Sequence, residues 1–236
     1  MPRYPVRPAD RAQSAEGGVT AVDRALTLLT AFRVTDQTLS LSELSERACL
    51  VPSTVLRLLA SLMHFGFVLR RPDGRYALGP AAARLNRVYA ASFNLQDVVL
   101  PALQELVGQT RESASFHVRQ GAHRLVLYRV SSPQPLSDQS HAGDLLPLDR
   151  GTGGHVLMAF SDTPGEFYEA LRLRGYMASP VSDRSPELAG ISAPVFDAQG
   201  MLAGALTLTM PVHRYKDAHI PVLREAAARL SAALGA

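Results

Sequence analysis

The chain has 236 residues, 47% of them hydrophobic and 19% charged, which is enough apolar material for one large or two small packed domains and too much for wholesale disorder. Its single cysteine, Cys49, excludes an intrachain disulfide framework and a zinc-finger array and fits a reducing compartment. The net charge of +3 is unevenly placed: residues 1–92 carry 12 Arg against 7 acidic residues, whereas residues 93–236 carry 12 basic against 14 acidic, so the front half is the one suited to meet a polyanion.

Residues 1–18 show no apolar period and are expected to be a disordered tail. They contain no hydrophobic signal core, and no apolar run in the chain approaches the ~18 residues of a membrane helix, so a cytoplasmic protein with no membrane partner is expected. Val22, Ala25, Leu26, Leu29 and Phe32 then follow a helical period. Ser40 and Glu43 form a capping box at the start of a short second helix with Leu41, Leu44 and Ala48 on one face. Pro52 suits the first turn of a third helix with a buried stripe of Val55, Leu58, Leu59, Leu62 and Phe65, and Gly66 ends it. Two short strands, Phe67–Arg71 and Arg75–Leu78, flank Asp73-Gly74, a strong hairpin signal. Helix, helix, turn, helix and hairpin in this order make a winged helix-turn-helix over residues 19–80.

A linker helix over residues 81–94 presents Leu85, Val88 and Tyr89. The remainder, residues 95–236, opens with a helix through Leu95 to Leu106. The period changes to 2 from Ser113, with strands expected at Ala114–Arg119, Arg124–Val130, Leu145–Leu148, Ile191–Phe196 and Leu202–Met210. Helices are expected near Gly153–Phe160, at Pro164–Arg174 with Asp162 or Thr163 as its cap, and from Asp217 to Leu234. The fold class is therefore α+β, with a mostly antiparallel sheet in the second half.

With its apolar stripe inward, the third helix turns Ser53, Thr54, Arg57, Ser61 and His64 outward. Hydroxyls at its start can reach phosphates and Arg57 can reach a guanine edge. Any surface helix shows such residues, and the placement between a capped helix and a hairpin is what points to DNA. Arg70, Arg71 and Arg75 surround the hairpin tip as a wing for phosphates or the minor groove, or else as charges that protect strand edges. In the second half Gly151, Gly153 and Gly154 precede a helix, where exposed N–H groups and the helix dipole would bind a carboxylate or phosphate; a tight glycine turn is the plainer reading. No Gly-Lys-Ser/Thr follows the glycines, and no HExxH or Cys/His/Asp cluster with ligand spacing is present, so neither cofactor nor metal is expected; no G-x-S-x-G is present, so Ser-His-Asp catalysis is not expected. His117 and His155 are expected to be packed or to wall a pocket rather than act as bases.

The segments AVDRALTLLTAF, LSLSELSERACLVPSTVLRLLASLMHFGFV, DGRYALGP, LPLDRGTGGHVLMAF and GISAPVFDAQGMLAGALTLTMP, in that order, resemble the IclR-type bacterial transcriptional regulators from about Gly18 onward. The resemblance implies a GAF-like effector domain, a dimer or dimer of dimers, and an operator in double-stranded DNA whose binding responds to a small organic acid. It also implies that the acid is held by the N–H groups of Gly151 and Thr152 and by Thr207 and Thr209, whose i, i+2 spacing puts both on one sheet face. Gly190 stands where relatives of small oxo-acid type carry Cys, and Asp183 loosely replaces an acidic position. Phe116, Leu127 and Met158 are then the candidate apolar wall, and a mid-sized aromatic or branched carboxylic acid is the expected effector. The rival from another class is a small-molecule enzyme with a winged-helix appendage, for which no paired carboxylates or activated nucleophile are found.

Overall fold

The computed structural model describes residues 17–33, 35–93 and 95–235; residues 1–16 of the expected tail and the side chain of Tyr89 lie outside the described part. The chain divides into two compact units, 1–92 and 93–236.

In the first unit, α1 (Thr20–Leu29), α2 (Leu41–Ala48) and α3 (Pro52–His64) precede a hairpin of β1 (Val68–Arg70) and β2 (Tyr76–Leu78), and α4 (Pro80–Phe93) follows. The capping box of α2 is complete: Glu43 N–H donates to Ser40 Oγ at 3.2 Å, and Ser40 N–H to the Glu43 carboxylate at 2.7 Å. Cys49 ends α2 in the left-handed conformation, φ 52°, and Pro52 opens α3. Leu28, Leu44, Val55, Leu59, Leu62, Val68 and Tyr76 share one core. Phe65, expected in the buried stripe, is 68% exposed. It is the residue after α3, and Gly66 at φ 73° turns the chain there, so the helical period stops one residue short of it. Leu39 bridges Tyr76 through two backbone hydrogen bonds of 2.7 and 2.8 Å, which ties the α1–α2 connection to the hairpin.

The second unit is a six-stranded antiparallel sheet in the order β5-β4-β3-β8-β7-β6. The strands are β3 (Ser113–Gln120), β4 (His123–Val130), β5 (Leu145–Pro147), β6 (Met177–Ser179), β7 (Leu188–Phe196) and β8 (Leu202–Pro211). Ala114 and Phe116 of β3, Ala189, Ile191 and Ala193 of β7, and Leu206, Leu208 and Met210 of β8 form the main core with α5 (Leu95–Thr110) and α8 (His219–Leu234). The alternate residues face the other way, towards α6 (Thr152–Ala159), on which α7 (Glu166–Arg174) packs. Two local expectations fail. The three-residue edge strand β6 is too short to show a period of 2. Helix α7 is preceded by Gly165 with no side-chain cap, because Asp162 is used, at φ 59°, in the turn that leaves α6.

Candidate functional site

The first unit exposes polar residues along α3 and arginines at the hairpin. Ser53, Arg57 and Ser61 are exposed along α3, with Thr54 half-buried between them. Arg70 and Arg71 are exposed at the hairpin, where Gly74 at φ 81° makes the turn that Asp73-Gly74 announced. Arg75 is placed differently from the expectation. Its guanidinium turns away from the tip and donates to Thr38 Oγ1 at 2.9 Å, to the Thr38 carbonyl at 3.1 Å and to Glu43 at 2.8 Å. Arg75 therefore fastens the hairpin to the start of α2, while Arg70 and Arg71 remain outward.

The second unit contains a small cleft, partly open to solvent, on the sheet face that carries α6. Strand alternation decides which residues reach it. Ser115 pairs with Thr207, and Thr207 with Ser192, so these three form a row across β3, β8 and β7, and Gly190 and Thr209 form the next pair. Thr152 Oγ1, Ser192 Oγ and Thr207 Oγ1 form a buried hydroxyl chain with links of 2.8 Å each. Ser115 Oγ lies 2.7 Å from His117 Nε2. Gly151, Thr152, Gly190, Thr207 and Thr209 all line the cleft, as the sequence suggests.

The apolar wall is not there. Phe116 lies between Ser115 and His117 in β3, so its ring must point to the opposite face, where it is fully buried against α5 and α8. Leu127 is the extra residue of a β-bulge, between Val126 paired with His117 and Tyr128 paired with Phe116, and it packs against that same core. Met158 belongs to the α6–α7 cluster, where its sulfur accepts from the Tyr168 hydroxyl at 3.3 Å. The missing cysteine does not enlarge the cleft either. A Cβ at Gly190 would lie 2.7 Å from Thr152 Oγ1, so the threonine hydroxyl already fills that room.

The cleft is cationic instead. Arg124, 3% exposed, lies under the glycine turn: it donates to the Arg150 carbonyl at 2.7 Å, and a Cβ at Gly151 or Gly154 would stand 2.8–2.9 Å from its terminal nitrogens. The glycines thus make room for a guanidinium as well as for a turn. Burial, followed by the charge of Arg184, lowers the Arg124 pKa to about 10. Across the cleft, Arg129 and Arg184 share the one carboxylate of Asp138 at 3.2 and 3.1 Å. Burial works against ionisation of Asp138, and the two arginines overcome it and hold the carboxyl below its usual range. Burial, then the charges of Arg124, Arg184 and Arg129, push His117 well below 6.5, so it is neutral near pH 7.

Asp183 lines up with the glycine turn from outside. Its carboxylate accepts from Gly151 N–H at 2.6 Å and from His155 Nε2 at 2.9 Å. His155 packs edge-on against Phe167 at 5.3 Å. Ser115, Arg124, Arg129, Asp138, Arg184 and Ser192 were not among the sequence candidates, whereas His117, expected to be packed or to wall a pocket, lines the cleft. Parity with Thr207 picks out Ser115 and Ser192 once β3, β7 and β8 are paired. Arg124, opposite an apolar period in HRLVLYRV, was a further available signal; the grouping of Arg129, Asp138 and Arg184 is set by tertiary structure.

A winged helix-turn-helix with an arginine-bearing surface, followed by a separate antiparallel sheet domain with a polar cleft, defines a two-domain DNA-binding transcriptional regulator. The model of the IclR helix-turn-helix domain matches residues 21–72, and that of the bacterial transcriptional regulator IclR C-terminal domain matches residues 87–171, together more than half of the chain. The HTH-type transcriptional regulator BhcR of Paracoccus denitrificans is 27% identical, over 89% of this chain and 84% of its own. The DNA-binding transcriptional repressor YiaJ of Escherichia coli is also 27% identical, over 83% and 80%. Among solved structures, an IclR transcriptional regulator from Alicyclobacillus acidocaldarius superposes with a TM-score of 0.78 at 21% identity, over 92% of this chain and 99% of that one. An IclR homolog from Microbacterium hydrocarbonoxydans, complexed with 4-hydroxybenzoate, superposes with a TM-score of 0.74 at 23% identity, over 91% and 98%. The chain belongs to the IclR family of bacterial transcriptional regulators.

Proposed function

We propose that this regulator binds an operator through α3 and its wing, and that a small carboxylic acid in the sheet-domain cleft modulates that binding. The observation that carries the effector half of this reading is the 2.6 Å bond from Gly151 N–H to the Asp183 carboxylate. The start of α6 is already satisfied by a carboxylate, as the unpaired N–H groups and dipole of a helix N-terminus favour. An acid arriving from solvent takes the same place, with the hydroxyls of Thr207 and Thr209 beside it. The complex of the Microbacterium homolog with 4-hydroxybenzoate supports an organic acid as the class of ligand. That ligand is itself an aromatic carboxylic acid, the kind the sequence suggested, whereas the lining of this cleft is mainly polar.

On the DNA side, Ser53, Thr54, Arg57 and Ser61 enter the major groove and Arg70 and Arg71 hold phosphates. Two copies, as a homodimer or a dimer of dimers, read a pseudo-palindrome in the cytoplasm. Leu85, 52% exposed on α4, is a candidate contact between copies. Among the described residues no helix is long and apolar enough to cross a membrane. The test is operator binding by fluorescence anisotropy against a panel of acids. One acid should shift the operator Kd, because a ligand moves an equilibrium only by its differential affinity for the two states. Thr207→Val should weaken that shift. If no acid binds or shifts the Kd, the effector half of the reading fails.

A further inference from the structure

The cleft holds more positive charge than one carboxylate neutralises. Three guanidinium groups line it, those of Arg124, Arg129 and Arg184, against the carboxylate of Asp138 inside it and that of Asp183 at the glycine turn, the place the incoming acid would take. Arg129 and Arg184 divide that carboxylate between them. Arg124 donates to carbonyl oxygens and, among the described residues, makes no hydrogen bond to a carboxylate, although the charges of Asp183 and Asp138 reach it. The Nε atoms of Arg124 and Arg129, and Nδ1 of His117, are buried without a partner. Unpartnered buried donors in a cationic setting are costly, and a bound anion relieves that cost. His117 is neutral and adds no charge, but it can donate or accept.

We infer that the effector is a compact dianion, with one acid group at the glycine turn above Arg124 and the second at Arg184, Arg129 and Ser140 on the far side of the cleft. The inference rests on the proposed reading that the cleft takes a carboxylate at Gly151, and it adds the second anion site and the ligand class. The two groups have different neighbours. Arg124 comes from β4 and borders α6, whereas Arg184 is held by Asp138 and Ser140 at 3.1 Å each. A dicarboxylate and a phosphorylated carboxylic acid share this chemistry.

Calorimetry on the full-length protein at fixed salt, with ligands matched in length, tests the inference. Succinate is compared with succinamate, glutarate with glutaramate, and phosphoglycolate with both diacids. A dianion should bind at least about tenfold more tightly than its singly charged amide, since charge-assisted bonds to guanidinium are among the strong ones. Arg184→Gln should reduce that ratio towards one, and Arg184→Lys should retain part of it; thermal unfolding verifies that both variants are folded. Preference for phosphoglycolate over the diacids supports a phosphorylated effector, and the reverse supports a dicarboxylate. Equal affinity for acid and amide overturns the dianion and leaves the carboxylate reading standing. A dianion preference unchanged in both Arg184 variants overturns the assigned subsite. Failure of every acid and amide to bind removes both this inference and the reading beneath it.

Discussion

Arg57 and Arg75 are the same residue type, eighteen positions apart, with different surroundings. Arg57 is exposed on α3, and Arg57→Ala should lower operator affinity by about 1–3 kcal/mol if it reads a base, measured by anisotropy at one salt concentration. Arg71→Ala should weaken all DNA sequences alike and flatten the salt dependence. Arg75→Ala should act mainly on stability, lowering the melting temperature of the protein, because its guanidinium holds Thr38 and Glu43. An unchanged melting temperature with lost DNA binding would return Arg75 to the wing. The sequence made all three look alike, since composition near a turn says nothing about the rotamer that a side chain adopts. The glycines of the cleft are a related case. Gly190 reads as space left by a missing side chain, yet Gly190→Ala should destabilise the unit, because its Cβ would press on Thr152 Oγ1 and break the chain of hydroxyls to Thr207.

At the scale of elements, the parts written in local chemistry were legible. The capping box of α2, Pro52 at the start of α3 and Asp73-Gly74 in the hairpin each act within four residues, and each stands as read. What required long-range information was not legible. Phe116 is a candidate for the apolar wall within an expected strand, and the face it takes relative to Thr207 is fixed only by the pairing of β3 with β8. The bulge that displaces Leu127 has no signature in the sequence. Gly79 shows the energetic weight of one close approach between elements. A Cβ there would lie 2.2 Å from the Gly66 carbonyl oxygen, where the hairpin leaves for α4. Gly79→Ala should therefore destabilise the first unit by about 1–3 kcal/mol, read by thermal or urea unfolding. A neutral result would mean that the 66–79 contact relaxes without cost. Leu85→Asp on α4 should give monomers by light scattering with the fold intact; a folded dimer would exclude Leu85 from the interface between copies.

For the molecule as a whole, the charge pattern predicts how it responds to acid. Asp36, Asp138 and Asp183 are all held below 3.8: burial opposes their ionisation, and hydrogen bonds and nearby cations overcome it. Their depressed values contribute stability that is complete above about pH 4 and is lost as pH falls through the folded-state values. His117 and His219 are also depressed, both chiefly by burial. A histidine held neutral costs nothing above 6.5, but below it the unfolded chain takes up the proton first, so stability declines from about pH 6.5 downward. The melting temperature should thus fall in two stages, a shallow one below about pH 6.5 and a steeper one below about pH 4. His117→Gln should flatten the first stage. A melting temperature flat down to about pH 5 would contradict the neutral assignment of the buried histidine.

The Asp183 carboxylate at the start of α6 has a consequence for dosage. It is tethered to the mouth it occupies, so its local concentration is fixed by the chain and does not vary with growth conditions. On the proposed reading, an effector acid would have to outcompete it, and the regulator would respond only once that acid passed a threshold. Removing the tethered competitor should lower this threshold: Asp183→Asn should tighten effector binding and shift the dose–response of operator release or capture to lower concentration. His155→Ala, which withdraws the partner holding Asp183 in place at 2.9 Å, should move the curve the same way by a smaller amount. The set point of the sensor would then be tunable without touching either the DNA surface or the arginines of the cleft.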